Sequence, residues 1–210
     1  MIPVENVNTQ TYGYELQCLL LNHDNEVTEC LIDFVSQFEK IKNPHEPILL
    51  SSYSAHTYNV LYYFSALYYR IYGNYPTITS LLGAYLHDFG KFFQKEIFFS
   101  DQIIPKEKIH LIEHHVHDGY VFLKNRFPQY DEIHKMALYH HERSDGSGYP
   151  SKKLQLPPSV SLLATVNVFV AIHEPRKYRK NKINTNMEWD KEKPRLFDPF
   201  RDEVASLMKK

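Results

Sequence analysis

Glycine is scarce in this chain, at 7 of 210 residues. That argues against a glycine-rich nucleotide loop and against a solenoid of repeated turns. Cysteine is rarer still, and Cys18 and Cys30 fit neither a disulfide framework nor a zinc motif. Neither sign of charge predominates, because 24 Lys and Arg stand against 25 Asp and Glu. Such a balance sets up no global field for DNA or an anionic membrane. The basic cluster Arg176, Lys177, Arg179, Lys180 and Lys182 is local. No apolar run reaches the roughly 20 residues that a membrane span takes. Residues 1–10 lack the basic-then-apolar order of a signal peptide. A soluble cytoplasmic protein is expected, with neither DNA nor membrane among its partners.

What the chain does have is a helical period. Leu31, Phe34, Val35, Phe38 and Ile41 recur at steps of three and four. After a break at Pro44 and Pro47, a second stripe runs through Val60, Tyr63, Phe64, Leu67 and Ile71 and stops at Gly73-Asn74-Tyr75-Pro76. Thr77 or Thr79 is placed to cap a third helix carrying Leu81, Leu82 and Tyr85 and ending near Gly90. Pro105 opens a fourth with Ile109, Ile112, Val116, Tyr120 and Leu123 on its stripe, and a fifth covers about residues 130–141. Pro157-Pro158 starts the apolar helix of residues 160–172. From Lys180 the chain reads as charged and irregular until Phe197. No segment alternates as a strand does. The expected fold is all-α, a compact helical bundle. Its expected organisation is an N-terminal helical extension over 1–49, a main domain over 50–205 and a tail over 206–210.

Twelve histidines are many, and their positions matter more than their number. His56 lies four residues before Val60, His115 three after Ile112, His140 four after Met136 and His141 four after Ala137. Asn167 follows Leu163 by four. These polar groups therefore share the buried stripes of different helices, whereas His114, His117 and His134 fall off them and are expected at the surface. A single buried histidine is usually hydrogen-bonded core. Several converging histidines with a carboxylate are costly to bury unless each finds a strong partner, and a metal cluster is such a partner. His87-Asp88 supplies the carboxylate. Adjacent helical residues point about 100° apart, so both reach one cluster only from opposite sides of a cleft or near a helix end. Imidazole with carboxylate oxygen suits iron, manganese or zinc better than magnesium or calcium.

These residues resemble an HD-GYP domain, the branch of the HD phosphohydrolase superfamily that hydrolyses cyclic di-GMP. The resemblance is carried by His56; by His87-Asp88-Phe89-Gly90-Lys91; by His115 with Gly119; and by the run His140-His141-Glu142-Arg143-Ser144-Asp145-Gly146-Ser147-Gly148-Tyr149-Pro150. Arg176-Lys177-Tyr178-Arg179 and Phe197-Asp198-Pro199 extend it, so that it covers roughly residues 50–205. The eleven-residue run is the most specific part.

The resemblance implies an HD-type helical bundle with two divalent metal ions, iron or manganese, activating water for in-line attack on phosphorus. The implied ligands are His56, His87, Asp88, His115, His140 and His141, with Asn167 at the position of a further Asp. Asp88 would bridge the ions and Lys91 would supply positive charge to the phosphate; these two form the implied catalytic pair. Arg176 and Arg179 match phosphate-binding residues, and Tyr149 is placed to stack on guanine or to meet a protein. Glu142 and Asp145 are expected to organise the loop and Pro150 to stiffen it, while Gly146 and Gly148 provide φ > 0 and close approach. A diguanylate cyclase domain is the partner implied at this loop.

Three departures bear on activity. Asn167 replaces the expected Asp, and Ser52 stands where some members carry the acid of a third metal. Val170 stands where a second Asp is expected, and Arg176-Lys177-Tyr178 replaces Arg-Pro-Tyr. Two metals rather than three imply a linear dinucleotide product, pGpG. The alternatives are a catalytically impaired module that binds a nucleotide or signalling partner, and a general HD phosphohydrolase acting on other nucleotides.

Overall fold

The computed structural model describes residues 47–98, 109–174 and 184–207. They form helices α1 (Pro47–Tyr72), α2 (Ile78–Leu86), α3 (Lys95–Phe98), α4 (Ile109–Arg126), α5 (Asp131–Tyr139), α6 (Pro158–His173), α7 (Thr185–Glu192) and α8 (Phe200–Leu207). Short 3-10 helices cover Phe89–Gln94 and Lys193–Arg195. No strand occurs among the described residues, as the absence of alternation predicted. The chain divides into two units, residues 1–58 and 59–210. The fold described below is that of the second unit.

Local chemistry sets the boundaries. Helix α1 closes where Gly73 adopts φ +72° and its N–H donates to the Tyr69 carbonyl at 2.8 Å, a left-handed cap that costs glycine little. Of the two threonines placed to cap α2, Thr77 does so, its hydroxyl accepting from Ser80 N at 3.2 Å. Helix α2 ends at Leu86 rather than near Gly90, and His87 caps it. The chain then tightens into the 3-10 turn. Pro158 opens α6 as expected, because its missing N–H is one that a first turn leaves unpaired anyway.

The core lies around α2 and α6. Every residue of α2 from Ser80 to Leu86 is buried, and α6 is buried on nearly all sides. Helix α5 packs on α2, α4 and α6, while α4 packs against the 3-10 turn. Glu132 ties three helix starts together. Its carboxylate accepts from Thr79 Oγ1 at 2.8 Å, Ser80 Oγ at 2.8 Å and Ser159 Oγ at 2.5 Å. No described helix is long and apolar enough to cross a membrane.

Two sequence expectations are corrected. Residues 185–192, read as irregular, are helix α7. Asn184 caps it by accepting from the N–H groups of Asn186 and Met187, and Trp189 anchors it edge-on to Phe169 at 5.9 Å. One buried side chain in eight makes no periodic stripe, which is why the pattern hides it. His134, expected at the surface, is buried. Its Nε2–H donates to the Phe127 carbonyl at 2.7 Å. It precedes Ala137 by three residues and so falls on the flank of the buried stripe. His114 and His117 are exposed as expected. The helical stripe of residues 31–41, Pro105, Arg176 and Arg179 lie outside the described residues.

Candidate metal centre

Asp88, His115, His140 and His141 each bring one donor atom within 4.8 Å of all the others. Three backbone segments deliver them. His87 and Asp88 sit where α2 gives way to the 3-10 turn, His115 is in the middle of α4, and His140 and His141 close α5. Close approach between these segments depends on glycine. The Met136 thioether lies over Gly83, bringing α5 onto α2, and a side chain at Gly90 would collide with the α4 backbone at His115. His87, Asp88, His115 and His140 are fully buried.

Each imidazole is oriented by its own helix. The Nδ1 atoms of His87, His115 and His140 lie 2.7, 2.5 and 2.9 Å from the carbonyl oxygens of Ala84, Ile112 and Ala137. A carbonyl only accepts, so these Nδ1 atoms carry the protons and each neutral ring keeps its lone pair on Nε2. Those lone pairs point at an acceptor. His87 Nε2 is 3.3 Å from Asp88 Oδ2, and both His115 Nε2 and His140 Nε2 are 3.3 Å from Asp88 Oδ1. The His115 and His140 Nε2 atoms are themselves 3.3 Å apart.

Lone pairs converging on lone pairs call for a cation between them. At His140 and His141 a proton does not serve at neutral pH. Burial, the largest influence on His140, lowers its pKa to about 3. Burial, followed by His140 and His115, holds His141 well below the imidazole range. Burial alone would raise the Asp88 carboxyl, but the Lys91 ammonium, then His87, then the ring nitrogens of His115 and His140, keep it well below the usual carboxylate range. Asp88 is thus a carboxylate close to two imidazoles, His140 and His141, that burial keeps neutral. A divalent ion bonded at about 2.0–2.2 Å to nitrogen and oxygen sets adjacent ligand atoms about 3.0–3.5 Å apart. The donor set fits such an ion.

Lys91, on the 3-10 turn, places its ammonium on Asp88 Oδ2 and 5.4 Å from the Phe98 ring centroid. Phe98 also stands edge-on to the His115 ring at 5.4 Å. No sequence signal separates Phe98 from its neighbouring phenylalanines, and it was not among the predicted site residues. Asn167 is buried on α6. His56 is buried on α1 and belongs to the first of the two units.

The loop after His141 is a built structure. Glu142, fully buried, accepts from Ser151 N at 2.7 Å and Lys153 N at 3.0 Å. Asp145 Oδ1 accepts from Ser147 N at 2.9 Å. Both carboxylates therefore hold backbone N–H groups of this loop. Gly146 has φ +75°. Gly148 does not adopt positive φ and is needed for another reason, since a Cβ there would stand 2.4 Å from the His141 carbonyl oxygen. Its close approach is to its own chain. Tyr149 lies stacked on His141, centroids 4.7 Å apart and planes 24° apart, so one face of its ring is occupied. Burial raises the Tyr149 phenol above its ordinary pKa. Pro150 follows through a cis peptide bond and is exposed.

The C-terminal segment straps this loop, through residues that sequence reasoning missed. Arg195 donates to Ser147 Oγ from Nη2 at 2.8 Å and pairs with Glu192 at 3.0 Å. Ser144 N donates to the Arg195 carbonyl at 2.9 Å. The contacts of Arg195 with Ser144 and Ser147 join positions about fifty apart in sequence, which no local pattern reveals.

An all-helical domain with a His-Asp pair at a helix end, facing histidines from two further helices, defines the class. Residues 77–190 match the HD domain family, and the chain belongs to that family, in its HD-GYP branch. Curated relatives include the cyclic di-GMP phosphodiesterase response regulator RpfG of Xanthomonas campestris pv. campestris (strain 8004). It is 31% identical over 105 residues, which are 47% of this chain and 27% of the relative. A cyclic di-GMP phosphodiesterase of Thermotoga maritima is 33% identical over 101 residues, 46% of this chain and 27% of that protein. The chain thus aligns with about a quarter of the length of each.

Proposed function

We propose that this chain is a metal-dependent phosphodiesterase that hydrolyses cyclic di-GMP, or a related cyclic dinucleotide, to the linear product. The observation that carries this reading is the convergence of imidazole lone pairs on the Asp88 carboxylate. Asp88, His87, His115, His140 and His141 would hold the ions, with His56 and Asn167 completing the set. Two divalent ions, iron or manganese, would act as Lewis acids toward the phosphate and supply a nucleophile at neutral pH.

The chain's own residues do the rest. The helix carbonyls behind His87, His115 and His140 keep each Nε2 unprotonated and aimed inward. Lys91, held beside Asp88, meets the negative charge of the phosphate. The loop of Gly146, Gly148, Tyr149 and Pro150 presses the Tyr149 ring on His141 and borders the substrate. It is also the surface offered to a diguanylate cyclase domain. Arg176 and Arg179 are proposed to hold a phosphate, as arginine's fork suits two oxygens.

Bound iron, manganese and zinc measured on the same anaerobic sample as cyclic di-GMP hydrolysis test this reading. His87→Ala and Asp88→Ala are expected to lose metal and turnover together. Metal-free protein without turnover in reducing, metal-supplemented buffer overturns it. Asn167 favours a second reading, a module that binds a nucleotide or signalling partner without cleaving it. Turnover confined to mononucleotides or simple phosphate esters would point instead to a general HD phosphohydrolase.

A further inference from the structure

We infer that Phe98 is the aromatic platform on which a base of the substrate stacks; this rests on the cyclic dinucleotide reading of the site. Phe98 ends α3 and is half-buried. Its ring lies edge-on to His115 at 5.4 Å, and the Lys91 ammonium is 5.4 Å from its centroid. The same ammonium contacts Asp88. Phe98 therefore forms the rim of the centre at the point where a phosphate would meet Lys91, one ribose away from a base.

The aromatic residue of the loop after His141 is committed elsewhere. Tyr149 gives one ring face to His141 at 4.7 Å, which leaves it holding a ligand rather than adapting to a base. Phe89, Phe92 and Phe93, the described phenylalanines before Phe98 in this segment, pack on each other. Phe89 stacks on Phe122 at 4.7 Å, and Phe93 lies 5.5 Å from Phe122. Among the described phenylalanines, Phe98 stands beside both a histidine of the centre and Lys91. A purely apolar seal at this position needs no ring, and leucine would serve. A stacking platform needs the π face, because purine and phenyl planes attract through overlap that an aliphatic chain does not offer.

The test compares Phe98→Leu, Phe98→Ala and Phe98→Tyr with the wild-type full chain, all manganese-loaded. Cyclic di-GMP binding is followed by titration calorimetry where there is no turnover and by KM where there is. Phe98→Leu and Phe98→Ala are expected to weaken binding about fivefold to a hundredfold, the range of one base–aromatic stack. Bound metal and kcat should stay within about twofold, the margin of an untouched chemical step, and Phe98→Tyr should bind like wild type. Phe98→Leu binding like wild type overturns the inference, as does metal or kcat falling with KM unchanged. Wild type that binds but does not cleave overturns catalysis alone, and the binding comparison still decides Phe98. Wild type that neither binds nor cleaves cyclic di-GMP overturns both.

Discussion

Gly90 and Gly119 meet backbone to backbone, and that contact sets the spacing of the metal centre. A Cβ built on Gly90 would stand 1.8 Å from the His115 carbonyl oxygen and 2.7 Å from Gly119 N. A Cβ on Gly119 would stand 3.1 Å from Gly90 N. Asp88 is two residues before one glycine and His115 four before the other, so pushing the segments apart pulls carboxylate from imidazole.

Gly90→Ala is therefore expected to cost about 1–3 kcal/mol, the usual range for overpacking, and to lower metal affinity as well. Gly119→Ala meets a looser contact and should cost less on both counts. Thermal unfolding with and without chelator, together with bound-metal analysis, separates the two effects. Equal behaviour of the two variants would mean that the contact does not set the spacing.

Glu142 gives a second prediction. Its carboxylate, with no solvent exposure, is the acceptor for two backbone N–H groups of the segment after Pro150. Glu142→Ala should destabilise the protein by about 2 kcal/mol or more, since each buried group left without a partner costs about 1–3 kcal/mol. Glu142→Gln keeps one acceptor oxygen and should lie between. Because Tyr149 N and the Gly148 backbone rest on His141 and its neighbours, loosening the loop should also weaken metal binding. Hydrogen exchange over residues 142–153 would show which amides lose protection.

How much of this was legible in the chain depends on distance. Helices α1, α2, α5 and α6 announce themselves through repeated apolar residues and through Gly73, Thr77 and Pro158, all local signals. Helix α7 does not, because Trp189 is its one buried residue. His115, His140 and His141 stood out because each rides an apolar stripe, and His87-Asp88 because the pair falls near a helix end. The common orientation of the imidazoles was not legible, because it depends on the carbonyls of Ala84, Ile112 and Ala137. Nor could sequence show the Arg195 strap on Ser147, or the place of Phe98 beside Lys91. Those are tertiary contacts made by residue types common on any surface or in any core.

Lys152 gives a third prediction, of opposite sign. It is exposed and holds φ +55°, the left-handed region that a side chain resists. Lys152→Gly relieves that strain and loses only a solvated side chain, though glycine gains entropy in the unfolded chain. The balance should stabilise the protein by about 0.5–1 kcal/mol. Denaturant unfolding measures it, and a less stable variant would mean that the Lys152 side chain contributes more than its backbone costs.

Asn167→Asp tests the place of Asn167 in the proposed centre. Asn167 is buried on α6, and its amide can offer a metal only a neutral oxygen. A carboxylate there has opposite effects in the two states of the protein. Without an ion, a further buried negative charge on α6 is costly, and the apo protein should be less stable than wild type. With ions bound, the same charge becomes a ligand. Affinity should rise by about tenfold or more, the scale on which one supporting group tunes a metal site. The gap between the melting temperatures of metal-loaded and chelated protein should therefore widen, since tighter binding adds to stability through mass action. Bound metal and cyclic di-GMP turnover should hold or increase. Loss of both would place Asn167 outside the centre.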